Sequence, residues 1–155
     1  MNKIVILVLI FILGFFVFKI IDKEKINNDM EKEECNNMKI KLEINNYELT
    51  ATLVDNSSTQ ALIEKLKESD ITINMDDYGN MEKVGQLDFS LPRNDQNITT
   101  ESGDLILYQG NNFVIYYDTN NWSLTKLGKI DNVDKQQLKN ILGSGSVVVT
   151  LSLDA

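Results

Sequence analysis

The residues of this 155-residue chain best suited to chemistry lie in one short glycine-containing stretch, where Asp76, Asp77, Glu82 and Lys83 flank Gly79. Three carboxylates beside an ammonium could form a polar recognition patch. They could also form a weak site for calcium, a hard cation that accepts carboxylate and carbonyl oxygens. The acids do not follow the spacing of an EF-hand loop, so no metal site is assigned. The simplest outcome is structural: Asp77 and Glu82 hold loop backbone, and Lys83 pairs with a neighbour. The amphipathic aromatics are Tyr78, Tyr108, Tyr116, Tyr117 and Trp122. Tyr116 and Tyr117 are adjacent in a strand-like run, so they point to opposite faces, one toward the core and one toward solvent or a groove. Trp122 follows Asn120-Asn121 at an expected turn, where it either lids the core or stands as an exposed contact; the lid is the expectation. The candidate ligand-contact set is therefore Asp77, Tyr78, Glu82, Lys83, Tyr116 and Trp122, with no catalytic residue and no cofactor assigned.

Composition removes much ordinary catalysis. There is no histidine, which excludes the Ser–His and Cys–His nucleophile pairs and histidine-ligated zinc. Cys35 is the single cysteine, so neither an intramolecular disulfide nor a thiolate cluster can form. The only arginine, Arg93, follows Pro92 in a polar loop, where a lone charge is expected to be solvated. A formal net charge of −8 argues against nucleic acid, whose phosphates require clustered Lys and Arg.

The elements that must position these groups are legible as hydrophobic periods. Met38, Ile40, Leu42 and Ile44 alternate with polar residues, Asn45-Asn46 supplies a two-residue turn, and Leu49, Ala51 and Leu53 continue the alternation, predicting a β-hairpin. Ser57-x-x-Gln60 fits a capping box opening a short helix with an Ala61, Leu62, Leu66 stripe. A brief strand is expected over 71–75, followed by a loop-rich segment to Leu91. A second hairpin is expected from 105–108 and 113–117 around Gln109-Gly110-Asn111-Asn112, and another strand over 123–130. A second helix over 134–142 has Asp134 near its start and Gly143 just past its end, and a closing strand covers 147–153. Many short strands with two short helices describe a mainly β barrel or sandwich capped by helices.

The amino-terminal region differs in kind. Ile4 to Phe18 is apolar throughout apart from Gly14, and Ile20 and Ile21 extend it past Lys19. That is close to the ~20 apolar residues a spanning helix needs, and Asp22-Lys23-Glu24-Lys25 offers no small-residue cleavage site. Residues 1–21 therefore read as a retained membrane anchor, with the membrane engaged through Ile4–Ile21. Residues 22–37 read as a charged tether, and 38–155 as the folded domain. Lys32-Glu33-Glu34 before Cys35 does not suit a lipid-attachment site. Lys19, Lys23, Lys25 and Lys32 lie beyond the run and under the positive-inside rule favour a cytoplasmic domain. A short tail before a lone apolar run is instead the layout of a signal anchor, and an extracytoplasmic domain at the cell envelope is the expectation.

The order of elements and several motifs resemble the bacterial cyclophilin-like domain family. The resemblance runs from Met38 to Leu153. It rests on Val54-Asp55-Asn56 leading into the first helix and on Met75-Asp76-Asp77-Tyr78-Gly79-Asn80-Met81-Glu82-Lys83-Val84-Gly85. Gly103-Asp104-Leu105, Phe113-Val114-Ile115-Tyr116-Tyr117 and Leu127-Gly128-Lys129-Ile130 complete it. The resemblance implies an eight-stranded closed barrel capped by two helices and says little about activity. Prolyl isomerases of that fold use an arginine, a glutamine, aromatics and a histidine along an open groove. This chain has no histidine and no Phe-x-x-Gln-Gly-Gly type segment. The expectation is a membrane-tethered, non-catalytic module binding a peptide or small ligand in a barrel-side groove. The alternatives are a divergent peptidyl-prolyl isomerase or other enzyme on the same fold, and a structural subunit of an envelope assembly, with an envelope protein as partner.

Overall fold

The alternating period of residues 40–53 produces the expected first hairpin in the computed structural model of the chain, which describes residues 38–154. Strands β1 (Lys39–Ile44) and β2 (Tyr47–Leu53) pair antiparallel across a turn in which Asn45 and Asn46 both hold positive φ, 48° and 67°. Asparagine tolerates this left-handed region better than residues without a short polar side chain. Helix α1 (Ser57–Glu68) follows, then β3 (Ile71–Tyr78), β4 (Glu82–Gln86), β5 (Gln96–Thr99), β6 (Asp104–Tyr108), β7 (Asn112–Tyr116), β8 (Asn121–Ile130), α2 (Lys135–Leu142) and β9 (Val147–Leu153).

The strands are hydrogen-bonded in the order β2-β1-β9-β3-β4-β7-β6-β8, and β2 pairs again with β8, closing an eight-stranded antiparallel barrel. Closure removes the unpaired edges that an open sheet would present. It also brings two backbones very close: a Cβ on Gly128 would lie 2.4 Å from the Thr52 carbonyl oxygen. Inward residues of every barrel strand except β4, among them Ile40, Leu42, Ile73, Met75, Leu107, Phe113, Ile115, Leu127 and Val149, form the principal core. Leu62, Ile63 and Leu66 of α1 and Leu138, Ile141 and Leu142 of α2 join the same cluster.

Four local expectations are corrected. The segment after Met75 is not loop-rich: β3 runs on to Tyr78, and a tight turn with Gly79 and Asn80 at positive φ returns the chain into β4. Asp76 and Asp77 are poor strand formers, but pairing with Val84 and Lys83 overrides propensity. The cap of α1 is Asn56, one residue earlier than Ser57; its side chain accepts from the Ser58 and Thr59 amides, and the Thr59 hydroxyl accepts from the Asn56 amide. β8 begins at Asn121, because β5 pairs with Asn121–Leu124. β5 is a ninth strand outside the closed ring, and its polar sequence carries no period from which it could be read. The anchor (1–21), the tether (22–37) and Cys35 lie outside the described residues, among which no helix is long and apolar enough to cross a membrane.

Candidate ligand-binding cleft

Because side chains alternate along a strand, the register of the β3–β4–β7 segment sorts its functional groups onto two faces. Tyr78 pairs with Glu82, and Glu82 pairs with Tyr116, so these three side chains form one row across the outer face. The neighbouring row, Asp77, Lys83 and Ile115, faces the other way. Val84 opposite Val114, and Tyr108 opposite Asn112, extend the outer surface. Ile106, Val114, Tyr116 and Leu124 are buried there as a second apolar cluster, separate from the barrel core.

This outer surface is concave. A cleft of about 530 Å³ is lined by Tyr78, Glu82, Val84, Tyr108, Val114, Tyr116, Trp122 and Leu124, with the amides of Gln109, Asn112 and Asn120 at its margin. The volume lies in the range of small-molecule sites, ~300–1,000 Å³. Tyr78 and Trp122 are 68% and 58% exposed, forming walls, while Val114, Tyr116 and Leu124 are buried and form the floor. Glu82 is 9% exposed, and its Oε2 is buried without a hydrogen-bond partner. The Tyr116 hydroxyl interacts with the same carboxyl group and accepts from Asn120 Nδ2 at 3.2 Å. Burial pushes the Glu82 carboxyl above its ordinary value, a rise that Tyr116 only partly offsets. Burial and the adjacent Glu82 push the Tyr116 phenol up as well, keeping it protonated.

The opposite face carries a different constellation. Lys83 is fully buried; its Nζ donates to Asp77 Oδ2 at 2.9 Å and to the Gly145 carbonyl at 2.6 Å. The Tyr117 hydroxyl donates to the same Asp77 oxygen at 2.5 Å, and Lys139 Nζ lies 5.3 Å from the Tyr117 ring centroid. Burial raises the Asp77 carboxyl, but the bonds from Tyr117 and Lys83 outweigh it and hold Asp77 below the usual carboxylate range. These bonds tie the β3–β4 hairpin to the loop following α2.

The segment that builds the cleft, and all of the barrel except the start of β1 and the last residue of β9, fall within the span, residues 42–152, that matches the family model for the cyclophilin-like family. The chain belongs to the cyclophilin-like family. The cyclophilin-like barrel is also similar to the solution structure of the hypothetical protein AF2241 from Archaeoglobus fulgidus. The two share 13% identity with a TM-score of 0.55, over 74% of this chain and 94% of that one, a likeness of fold alone. No curated protein matches the chain.

Within the cyclophilin-like barrel the sequence-derived site residues divide. Tyr78, Glu82, Tyr116 and Trp122 converge on the cleft; Asp77 and Lys83 do not, and instead form the interior ion pair. Tyr116 and Tyr117 take opposite faces as expected, Tyr117 in the barrel core and Tyr116 in the cleft floor. Trp122 is corrected: it lies on β8 as an exposed wall and not as a core lid. The acids do not converge either. Asp76 accepts from the Ser146 hydroxyl at 2.6 Å, Asp77 serves Lys83, and Glu82 faces the side of the sheet opposite Asp77. Arg93 is paired with Asp95 and does not line the cleft. Val84, Asn112, Val114, Asn120 and Leu124 escaped the sequence reading because they are ordinary residues whose convergence depends on long-range register.

Proposed function

We propose that this protein is a membrane-tethered, non-catalytic binding module whose barrel-side cleft holds a peptide or small ligand. The observation that carries the reading is the outer-face row Tyr78–Glu82–Tyr116. It places two aromatics and an unpartnered buried carboxylate oxygen in one concavity. A buried polar atom without a protein partner costs stability unless a bound molecule completes it, and this one lies in a ligand-sized cleft. The tether reading rests on the apolar run Ile4–Ile21, with the domain at the external face of the membrane. The non-catalytic reading rests on a cleft lining that offers one carboxylate, phenols and amides, with neither the arginine nor any histidine among its groups.

The exposed rim aromatics Tyr78 and Trp122 favour one second reading, contact with an envelope protein through the same face, since aromatic side chains are frequent interface anchors. Fragment and peptide screening by heteronuclear NMR on the full chain in maltoside micelles tests the first reading. Saturable shifts should cluster on Tyr78, Glu82, Asn120 and Trp122, and perturbations confined to other faces would overturn the assignment. A proline-peptide isomerisation assay should show no acceleration. Protease added to intact cells should digest the domain if it is external.

A further inference from the structure

The cleft lining contains one formally charged group. Among its residues, Glu82 is the sole carboxylate, and there is neither lysine nor arginine; the rest are aromatic, aliphatic or amide side chains. Glu82 is nine-tenths buried, and its Oε2 accepts no hydrogen bond. No cationic side chain of the lining therefore compensates this charge inside the cleft. A partly desolvated carboxylate flanked by Tyr78, Tyr108, Tyr116 and Trp122 is best complemented by a cation that also presents N–H donors. The carboxylate meets the donor, and the electron-rich ring faces meet the charge.

We propose that the cleft selects a ligand bearing a primary alkylammonium group, whose N–H donates to Glu82 Oε2 while Tyr78 and Trp122 flank the cation. This deepens the reading of the cleft as a ligand site and rests on it. An ammonium suits the geometry better than a guanidinium. A guanidinium reaches its full strength by bidentate pairing with both carboxylate oxygens, whereas an ammonium needs a single acceptor, and Oε2 is the buried oxygen without a partner. The net charge of −8 adds a favourable long-range field for a cation. The amides of Gln109, Asn112 and Asn120 remain for the uncharged part of the ligand.

Trp122 is the only tryptophan in the chain and stands in the cleft wall, so its fluorescence reports directly on occupancy. The full chain in uncharged maltoside micelles is titrated with four probes: n-butylammonium, Nα-acetyl-lysine methylamide, 1-pentanol and pentanoate. The two ammonium probes should saturate the Trp122 signal, with pentanol and pentanoate at least tenfold weaker. Glu82→Gln should abolish the preference for ammonium while leaving the pentanol response. Tyr78→Ala, a change at a largely exposed residue that leaves the core intact, should weaken ammonium binding several-fold. Tighter binding of the capped lysine would assign the ammonium to a peptide side chain, and tighter binding of butylammonium would assign it to a free amine. Pentanol binding as tightly as butylammonium, or an ammonium preference that survives Glu82→Gln, would overturn the cation inference and leave the cleft standing as a ligand site. Silence from all four probes would overturn both.

Discussion

Replacing Lys83 by methionine isolates the energetic role of the buried ion pair, because methionine keeps the unbranched apolar stem and removes only the ammonium. In the native barrel that ammonium is fully buried and makes two bonds, 2.9 Å to Asp77 Oδ2 and 2.6 Å to the Gly145 carbonyl. Breaking a fully buried pair by removing one partner costs about 3–5 kcal/mol, since the other charge is left uncompensated. Asp77 is not fully buried. Its side chain is 23% exposed and keeps the Tyr117 hydroxyl and the Asn80 amide as donors, so water and these bonds recover part of the loss. The expected cost of Lys83→Met is thus about 2–3 kcal/mol at neutral pH, or about 10 °C in Tm for a domain of this size.

The pH dependence carries the sharper test. Asp77 is held below its ordinary value, so its stabilising contribution is complete above the unfolded carboxylate range and disappears as pH falls through the depressed folded value. In Lys83→Met the burial of Asp77 is no longer outweighed by an ammonium, and protonation relieves it. The stability gap between native protein and variant should therefore narrow between about pH 5 and pH 3. Urea denaturation followed by circular dichroism at both ends of that window measures the gap. A cost below about 0.5 kcal/mol at neutral pH, the size of an exposed pair, would refute the buried-pair account. So would a gap that stays constant across the window.

Three further perturbations address the site and its supports. Glu82→Gln should gain stability relative to the native protein as pH rises from 4 toward 7. The folded carboxyl titrates above its unfolded value, so the native state loses stability on ionising there while the amide does not; opposite movement in thermal melts would contradict the burial of this group. Gly85→Ala should destabilise by roughly 2–3 kcal/mol or prevent folding, because the new Cβ would lie 2.4 Å from Ile73 Cγ2 and 2.7 Å from the Asn74 carbonyl oxygen on the paired strand. An unchanged denaturation midpoint would refute this close approach of β3 and β4. Asn56→Ala should cost about 1–2 kcal/mol, since its side chain caps two α1 amides and also donates to the Lys126 carbonyl at 2.8 Å; Asn56→Asp should keep the cap and lose only the bond to β8.

What could be read directly from the residues was local. The 40–53 alternation predicts a hairpin because one face must be apolar, and Asn45-Asn46 predicts its turn because positive φ is cheap there. The split of Tyr116 from Tyr117 follows from strand geometry alone, without knowing which face is which. Glu82 and Tyr78 were identifiable as candidates because they are polar or amphipathic groups beside a glycine turn.

Register and closure were decided only in three dimensions. Asp77, Tyr78, Glu82 and Lys83 look like one cluster along the chain, yet extending β3 through Tyr78 and pairing it with β4 puts Asp77 and Lys83 on one face and Tyr78 and Glu82 on the other. A shift of one residue would have exchanged the two sets, and no local preference among these side chains prevents it. The cleft also needs Tyr116 placed opposite Glu82, and Trp122 brought in by β8. Pairings that distant in sequence are selected by burial of the whole barrel core, so the chemistry-bearing residues could be named from composition and local pattern, whereas their separation into an interior ion pair and an outer cleft belongs to the tertiary structure.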